Sequence, residues 1–144
     1  MTKISDFDLL DFMPYLLNQA ADATSRDFEQ AYKTKYGMLR TEWRVLFHLG
    51  RYGAMTAKDI CTRARIHKTK VSRAVHALED KRFLSRTEMV DDRRHETLAL
   101  TKSGRTVFAS LQQEAQRFDA EMMASFTDTE KAQMRKFLIR IAKL

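Results

Sequence analysis

Six polar side chains crowd into a short stretch in the middle of the chain: Lys68, Thr69, Lys70, Ser72, Arg73 and His76. Further on, Asp91-Asp92-Arg93-Arg94 sets four charges side by side. Ammonium, guanidinium, hydroxyl and imidazole donors are the groups that bond phosphate oxygens and base edges. They are a poor set for catalysis, because no nucleophile is paired with a base. The chain has no phosphate-binding glycine loop, nucleophile elbow or HExxH pattern. Four scattered glycines argue against a nucleotide-binding enzyme, and no enzyme activity and no cofactor are expected. Nor do His48, His67, His76 and His95 show metal-ligand spacing with Cys61 or with a carboxylate pair, so no metal is expected.

The elements that must position these groups follow from periodicity. Val71, Ala74, Val75 and Leu78 recur at i, i+3, i+4 and i+7, a narrow apolar stripe on a helix from about Lys68 to Lys81. At about 100° per residue, Thr69, Arg73 and His76 fall on the opposite face, with Lys70 and Ser72 beside them. Arg65-Ile-His67 is the turn before this helix. A short helix precedes the turn, opened by Thr56-Ala-Lys-Asp59, a capping box with Asp in place of Glu or Gln. Its inward residues are Ile60, Cys61 and Ala64. After the basic helix, Phe83–Val90 and His95–Leu100 read as two strands, with Leu84, Leu98 and Leu100 alternating with polar neighbours. The all-charged tetrapeptide between them makes a hairpin tip. Two helices, a tight turn and a hairpin compose a winged helix-turn-helix.

Charge places the same stretch at the centre of function. The formal charge is +7, and residues 51–105 carry fourteen Lys/Arg against seven Asp/Glu while the flanks nearly cancel. A basic block between near-neutral segments suits a polyanion, nucleic acid before an acidic membrane surface. A helix fits the major groove, where Arg73 can reach guanine and Thr69 and His76 can meet bases or thymine methyls, while Lys68, Lys70 and Ser72 suit phosphates. Arg93 and Arg94 put two guanidiniums at the wing tip, and Arg94 is the residue expected to enter the minor groove. Asp92 beside it can hold the guanidinium in place. An isolated charged turn is ordinarily just solvated; its position after a basic helix and before Leu100-Thr101 argues otherwise.

The flanks read as helices. From Phe7 to about Tyr36, the residues Leu9, Leu10, Met13, Leu16, Leu17, Ala20 and Ala21 form one apolar face, with Pro14 in the first turn. So long an apolar face in a chain of 144 residues is most simply covered by a partner chain. Gly37 ends this helix, and Thr41 is expected to cap the next, whose core is Trp43, Leu46, Phe47 and Leu49. Thr101 caps a long helix through Phe108, Leu111, Ala115, Phe118 and Met122. Thr127-Asp-Thr-Glu130 is a full capping box opening a last helix with Met134, Phe137, Leu138 and Ile141 on one face. The fold class is mainly α with a small β wing. A single cysteine, an acidic N-terminal stretch (Asp6, Asp8, Asp11) and the lack of a long apolar run fit a cytoplasmic protein.

Together these residues resemble the MarR family of bacterial transcription regulators. The resemblance rests on Arg40-Thr-Glu-Trp-Arg-Val-Leu, Lys68-Thr-Lys-Val-Ser-Arg73, Leu78-Glu-Asp-Lys81 and above all Asp92-x-Arg94-x5-Leu100-Thr101. It implies a homodimer on a pseudo-palindromic double-stranded DNA operator, with residues 38–101 as the DNA-binding lobe of a single domain and residues 1–36 and 102–144 as dimerisation helices. It gives Ser72 and Arg73 recognition-helix roles and Asp92 and Arg94 wing roles. It also suggests an effector pocket lined by Phe12, Tyr15, Trp43 and Phe47, although aromatics at helical spacing are more often core. The expected function is a repressor released by a small aromatic or phenolic ligand; the alternative is a protein-interaction module built on the same lobe. The family's peroxide-sensing cysteine lies in the first helix, so that role does not pass to Cys61, expected as a buried structural thiol. One departure stands out: Lys81-Arg82-Phe83 has no glycine where similar sequences do. Either Arg82 takes a left-handed conformation or the helix ends differently.

Overall fold

A computed structural model describes residues 5–88 and 96–144. After a 3-10 turn at Leu9–Asp11, helix α1 runs Met13–Tyr36. It starts later than Phe7 because Pro14, lacking an N–H, is tolerated in a first turn and not in a helix interior. Gly37 ends α1 with φ 62°, the left-handed conformation that a side chain resists. Helix α2, Arg40–Tyr52, is preceded by Leu39, so Thr41 lies inside its first turn and does not cap it. The Glu42 carboxylate does that work, accepting the Leu39 N–H at 2.9 Å.

Two residues, Met55–Thr56, form strand β1, which is too short to leave a periodic signal in sequence. Helix α3, Ala57–Ala64, opens on the expected box: Asp59 N–H donates to Thr56 Oγ1 and Thr56 N–H to Asp59 Oδ2, both at 3.1 Å. Helix α4 spans Lys68–Asp80, and strands β2 (Leu84–Glu88) and β3 (Glu96–Leu100) follow. The sheet is antiparallel in the order β1-β3-β2, with Met55 opposite Leu98 and Leu84 opposite Leu100. The described wing is therefore a three-stranded sheet and not a simple hairpin. Its third strand ties the wing to the start of α3.

Helices α5 (Lys102–Met122) and α6 (Asp128–Ala142) complete the chain, each opened by the expected threonine, Thr101 and Thr127. The core lies beneath the helix-turn-helix, where Val45 and Leu46 of α2, Ile60 of α3, Val71 and Leu78 of α4, Leu98 of β3 and Leu111 of α5 are buried. An aromatic column extends it between α1, α2 and α5. Phe28, Trp43, Phe47 and Phe108 make successive edge contacts with ring centres 5.1–5.3 Å apart. A Cβ at Gly50 would overlap the Phe108 ring, so this glycine makes room for the column.

Outside this core the chain leaves apolar surface uncovered. No residue of α6 is buried, and Phe137, Leu138, Ile139 and Ile141 are about half exposed. Between α6 and the first half of α1 runs an open groove of about 970 Å³ lined by Met13, Leu16, Leu17, Ala20, Met134 and Phe137, among others. No helix is long and apolar enough to cross a membrane among the described residues.

Candidate nucleic-acid interface

Helix α4 divides as its periodicity predicts. Val71, Ala74, Val75 and Leu78 are buried, and Lys68, Thr69, Lys70, Ser72, Arg73 and His76 are all exposed. Its first turn is organised by His67, whose Nδ1 accepts the Thr69 N–H at 3.2 Å. This bond meets one of the free amide donors at the helix start and fixes the end that carries Lys68, Thr69 and Lys70. Farther along, His76 Nε2 lies 3.5 Å from Asp80 Oδ2 one turn on. The exposed face thus presents two ammoniums, a guanidinium and two hydroxyls near one end of a rigid helix.

Two ion pairs hold that helix in register and a third contact braces α3 before it, and none is evident from sequence spacing. At its far end Lys81 Nζ donates to Glu42 Oε1 at 3.0 Å, joining α4 to the start of α2. Glu42 is only 4% exposed, so its carboxylate is a buried anchor satisfied by Lys81 and the Leu39 N–H. Arg86 of β2 donates through Nε to Glu79 at 2.9 Å and through Nη1 to Glu96 at 3.1 Å. That one guanidinium links α4, β2 and β3. Partial burial works against its charge, but the hydrogen bonds to Glu96 and Glu79 outweigh this and raise its pKa further. Arg44 of α2 donates to the Ala64 carbonyl at 2.7 Å, closing the end of α3. Burial, then the neighbouring Arg40, lowers the pKa of Arg44 from its ordinary value.

At the corner between α4 and the wing the first of the two alternatives holds: Arg82 takes φ 64° in place of a glycine. Its carbonyl accepts from Thr101 Oγ1 at 2.7 Å, and the Phe83 carbonyl accepts the Thr101 N–H at 3.0 Å. The same hydroxyl accepts the Gly104 N–H at 3.0 Å. A Cβ at Gly104 would overlap the Phe83 carbonyl oxygen. With Leu100 buried beneath it, the Leu-Thr pair clasps the wing root to α5.

Asp92, Arg93 and Arg94 lie outside the described residues. Cys61 is half-buried and not sealed in the core. It lines a cleft of about 580 Å³ between α3, α4 and the wing with Lys58, Thr62, Lys68, Ser72 and Arg86. Among the described residues no cluster of His, Cys, Asp and Glu could hold a metal.

The four aromatics expected at an effector pocket fall in two places. Trp43 and Phe47 belong to the aromatic column, and Trp43 also lines a cleft of about 290 Å³ with Phe28, Phe118 and Met122. Phe12 and Tyr15 sit at the start of α1, where Phe12 packs edge-on against Phe7. Neither borders the Trp43 cleft within one chain.

The sequence profile of the MarR family matches residues 36–95. An uncharacterized HTH-type transcriptional regulator of Bacillus subtilis, YwoH, is 25% identical over 115 residues, 80% of this chain and 82% of that protein. Among solved structures, BpsR of Bordetella bronchiseptica, whose DNA binding is regulated by 6-hydroxynicotinic acid, superposes with a TM-score of 0.87. It shares 18% identity over 97% of this chain and 99% of its own. MepR of S. aureus, solved with DNA, gives a TM-score of 0.80 at 19% identity over 91% of this chain and 96% of its own.

Proposed function

We propose that the chain is a regulator of the MarR type, whose family profile matches residues 36–95: a homodimeric, sequence-specific DNA-binding transcription regulator, a repressor released by a small aromatic or phenolic ligand. The observation that carries this reading is helix α4. It is seated by a buried apolar stripe and shows a wholly polar, basic face outward. In the proposed complex Arg73, Thr69 and His76 face base edges, and Lys68, Lys70 and Ser72 face phosphates. Arg94, held by Asp92, enters the minor groove, with Arg93 adding charge at the backbone. Residues 38–101 act as the reading lobe and residues 1–36 and 102–144 as dimerisation helices within one domain.

The uncovered apolar faces of α1 and α6 favour a second copy of the chain as their cover. The two reading helices then lie one helical turn apart, about 34–36 Å. The ligand reading is supported by the Trp43 cleft and by the 6-hydroxynicotinic acid that regulates BpsR. Phe12 and Tyr15 are near neighbours in sequence of Met13, which lines the α1–α6 groove, and they join Trp43 and Phe47 in one pocket only where the second copy completes it. A ligand that binds one lobe spacing better than the other shifts operator affinity by that difference.

Duplex binding measured across a salt series tests the reading. Affinity should fall steeply as salt rises. Arg94→Ala should weaken binding to all sequences, and Arg73→Ala should also relax base preference at one position by roughly 1–3 kcal/mol. Unchanged affinity in both variants would sink it.

A further inference from the structure

Between α3 and α4, at the turn of the helix-turn-helix, Arg65 holds φ 53° and ψ 49°. A glycine takes this left-handed conformation freely, whereas a residue with a Cβ resists it. The Arg65 side chain does not extend to solvent. Its Nη1 donates to the Ala142 carbonyl and its Nη2 to the Lys143 carbonyl, the latter at 2.9 Å. These oxygens belong to the end of α6. There Lys143 also turns left-handed, and the N–H groups of Lys143 and Leu144 return to Arg140 and Ile139. That turn leaves the Ala142 and Lys143 carbonyls free, at the negative end of the helix dipole. A planar guanidinium fits the two together, and it is always charged.

We propose that Arg65 is a positioning residue for operator recognition, which fixes the lobe that carries α4 to the dimerisation helix α6 and so sets the separation of the two reading helices. This rests on the DNA-binding reading above. Among the described residues, these two bonds are the hydrogen bonds that join α6 to the helix-turn-helix. The other side-chain tie of α6 outside itself, Arg135 to Asp119 at 3.1 Å, goes to α5. The lobe side of the clasp is stiff: Ile66 is buried, the Arg65 N–H is bonded to the Cys61 carbonyl, and Arg44 closes the preceding carbonyl of Ala64. His67 then caps α4 directly. A shift of α6 therefore moves the start of α4, where Lys68, Thr69 and Lys70 lie.

Arg65→Gly separates this role from that of an ordinary turn residue, because glycine suits the backbone and removes only the clasp. Arg65→Lys keeps the charge but offers a point donor in place of a fork. In the DNA-free protein, hydrogen exchange at the amides of the last turn of α6 should quicken about tenfold in Arg65→Gly and less in Arg65→Lys, with α3 and α4 unchanged; linked openings of this kind are read by exchange. The second measurement uses duplexes carrying two selected half-sites moved apart in single base-pair steps. The wild-type chain should prefer one spacing sharply, and Arg65→Gly should flatten that preference at least severalfold without altering the salt slope. Wild-type exchange at the end of α6 in Arg65→Gly overturns the clasp. An unchanged spacing profile with a salt slope lower by about one would make Arg65 a phosphate contact instead and overturns the inference alone. A wild-type chain that binds no duplex overturns the DNA-binding reading and the positioning role with it.

Discussion

Glu42 is a surface-type residue in a core position, and truncating it is the sharpest test of how the reading helix is held. In Glu42→Ala the Leu39 N–H loses its acceptor and Lys81 loses its partner. A lost helix-start cap costs about 1 kcal/mol, and a hydrogen bond to a charged group contributes about 1.5–3 kcal/mol. Removing one member of a fully buried pair costs about 3–5 kcal/mol. Lys81 keeps 29% of its side chain exposed and can partly rehydrate, so the low end applies, about 3 kcal/mol. Glu42→Gln keeps one amide oxygen, enough for one of the two donors, and should cost about half as much. Urea unfolding at fixed protein concentration measures these values, since mass action shifts the apparent stability of any dimer. In a double-mutant cycle with Lys81→Met, the coupling should be about 2 kcal/mol, within the range for contacting residues. Coupling below about 0.5 kcal/mol would show that the pair does not anchor α4.

Other expectations follow from the same structure. Gly104→Ala should destabilise by about 3 kcal/mol, the upper part of the range for overpacking, because the added methyl meets the fixed Phe83 backbone; thermal unfolding will show it. Leu138→Asp should shift the chain towards monomer in sedimentation velocity, because it places a charge in the α1–α6 groove. The carboxylates of Asp59 and Glu130 have lowered pKa values because each accepts the backbone N–H and then the hydroxyl of its capping threonine. A lowered folded pKa stabilises above the unfolded value and is lost as pH falls through the folded one. Acid titration followed by circular dichroism should therefore show the threonine caps weakening below the ordinary carboxylate range, and Asp59→Asn with Glu130→Gln should flatten that response.

The reading face of α4 was legible in sequence because a helix with one buried stripe must expose the rest. Val71, Ala74, Val75 and Leu78 alone determine where Arg73 points. The caps at Thr56, Thr101 and Thr127 were legible for a similar reason, since each acts within three residues. Thr41 misled because Glu42 reaches back from the third helical position without a capping hydroxyl. The contacts that hold α4 in place were not visible. Glu42 and Lys81 are 39 residues apart, and Arg65 and Ala142 are 77 apart, and no local pattern encodes such pairs. β1 was missed for the opposite reason: two residues are too few to alternate. The aromatic pocket divided because Phe12 and Tyr15 lie beyond the reach of the Phe28–Trp43–Phe47 column within one chain.

In the proposed complex two copies of α4 read two halves of a symmetric DNA site. Selection of bound sites from random duplex DNA tests it directly. The expected product is an inverted repeat whose half-site centres lie about 10–10.5 base pairs apart or a multiple of that. Recovery of no enriched sequence, or of one without internal symmetry, would contradict it.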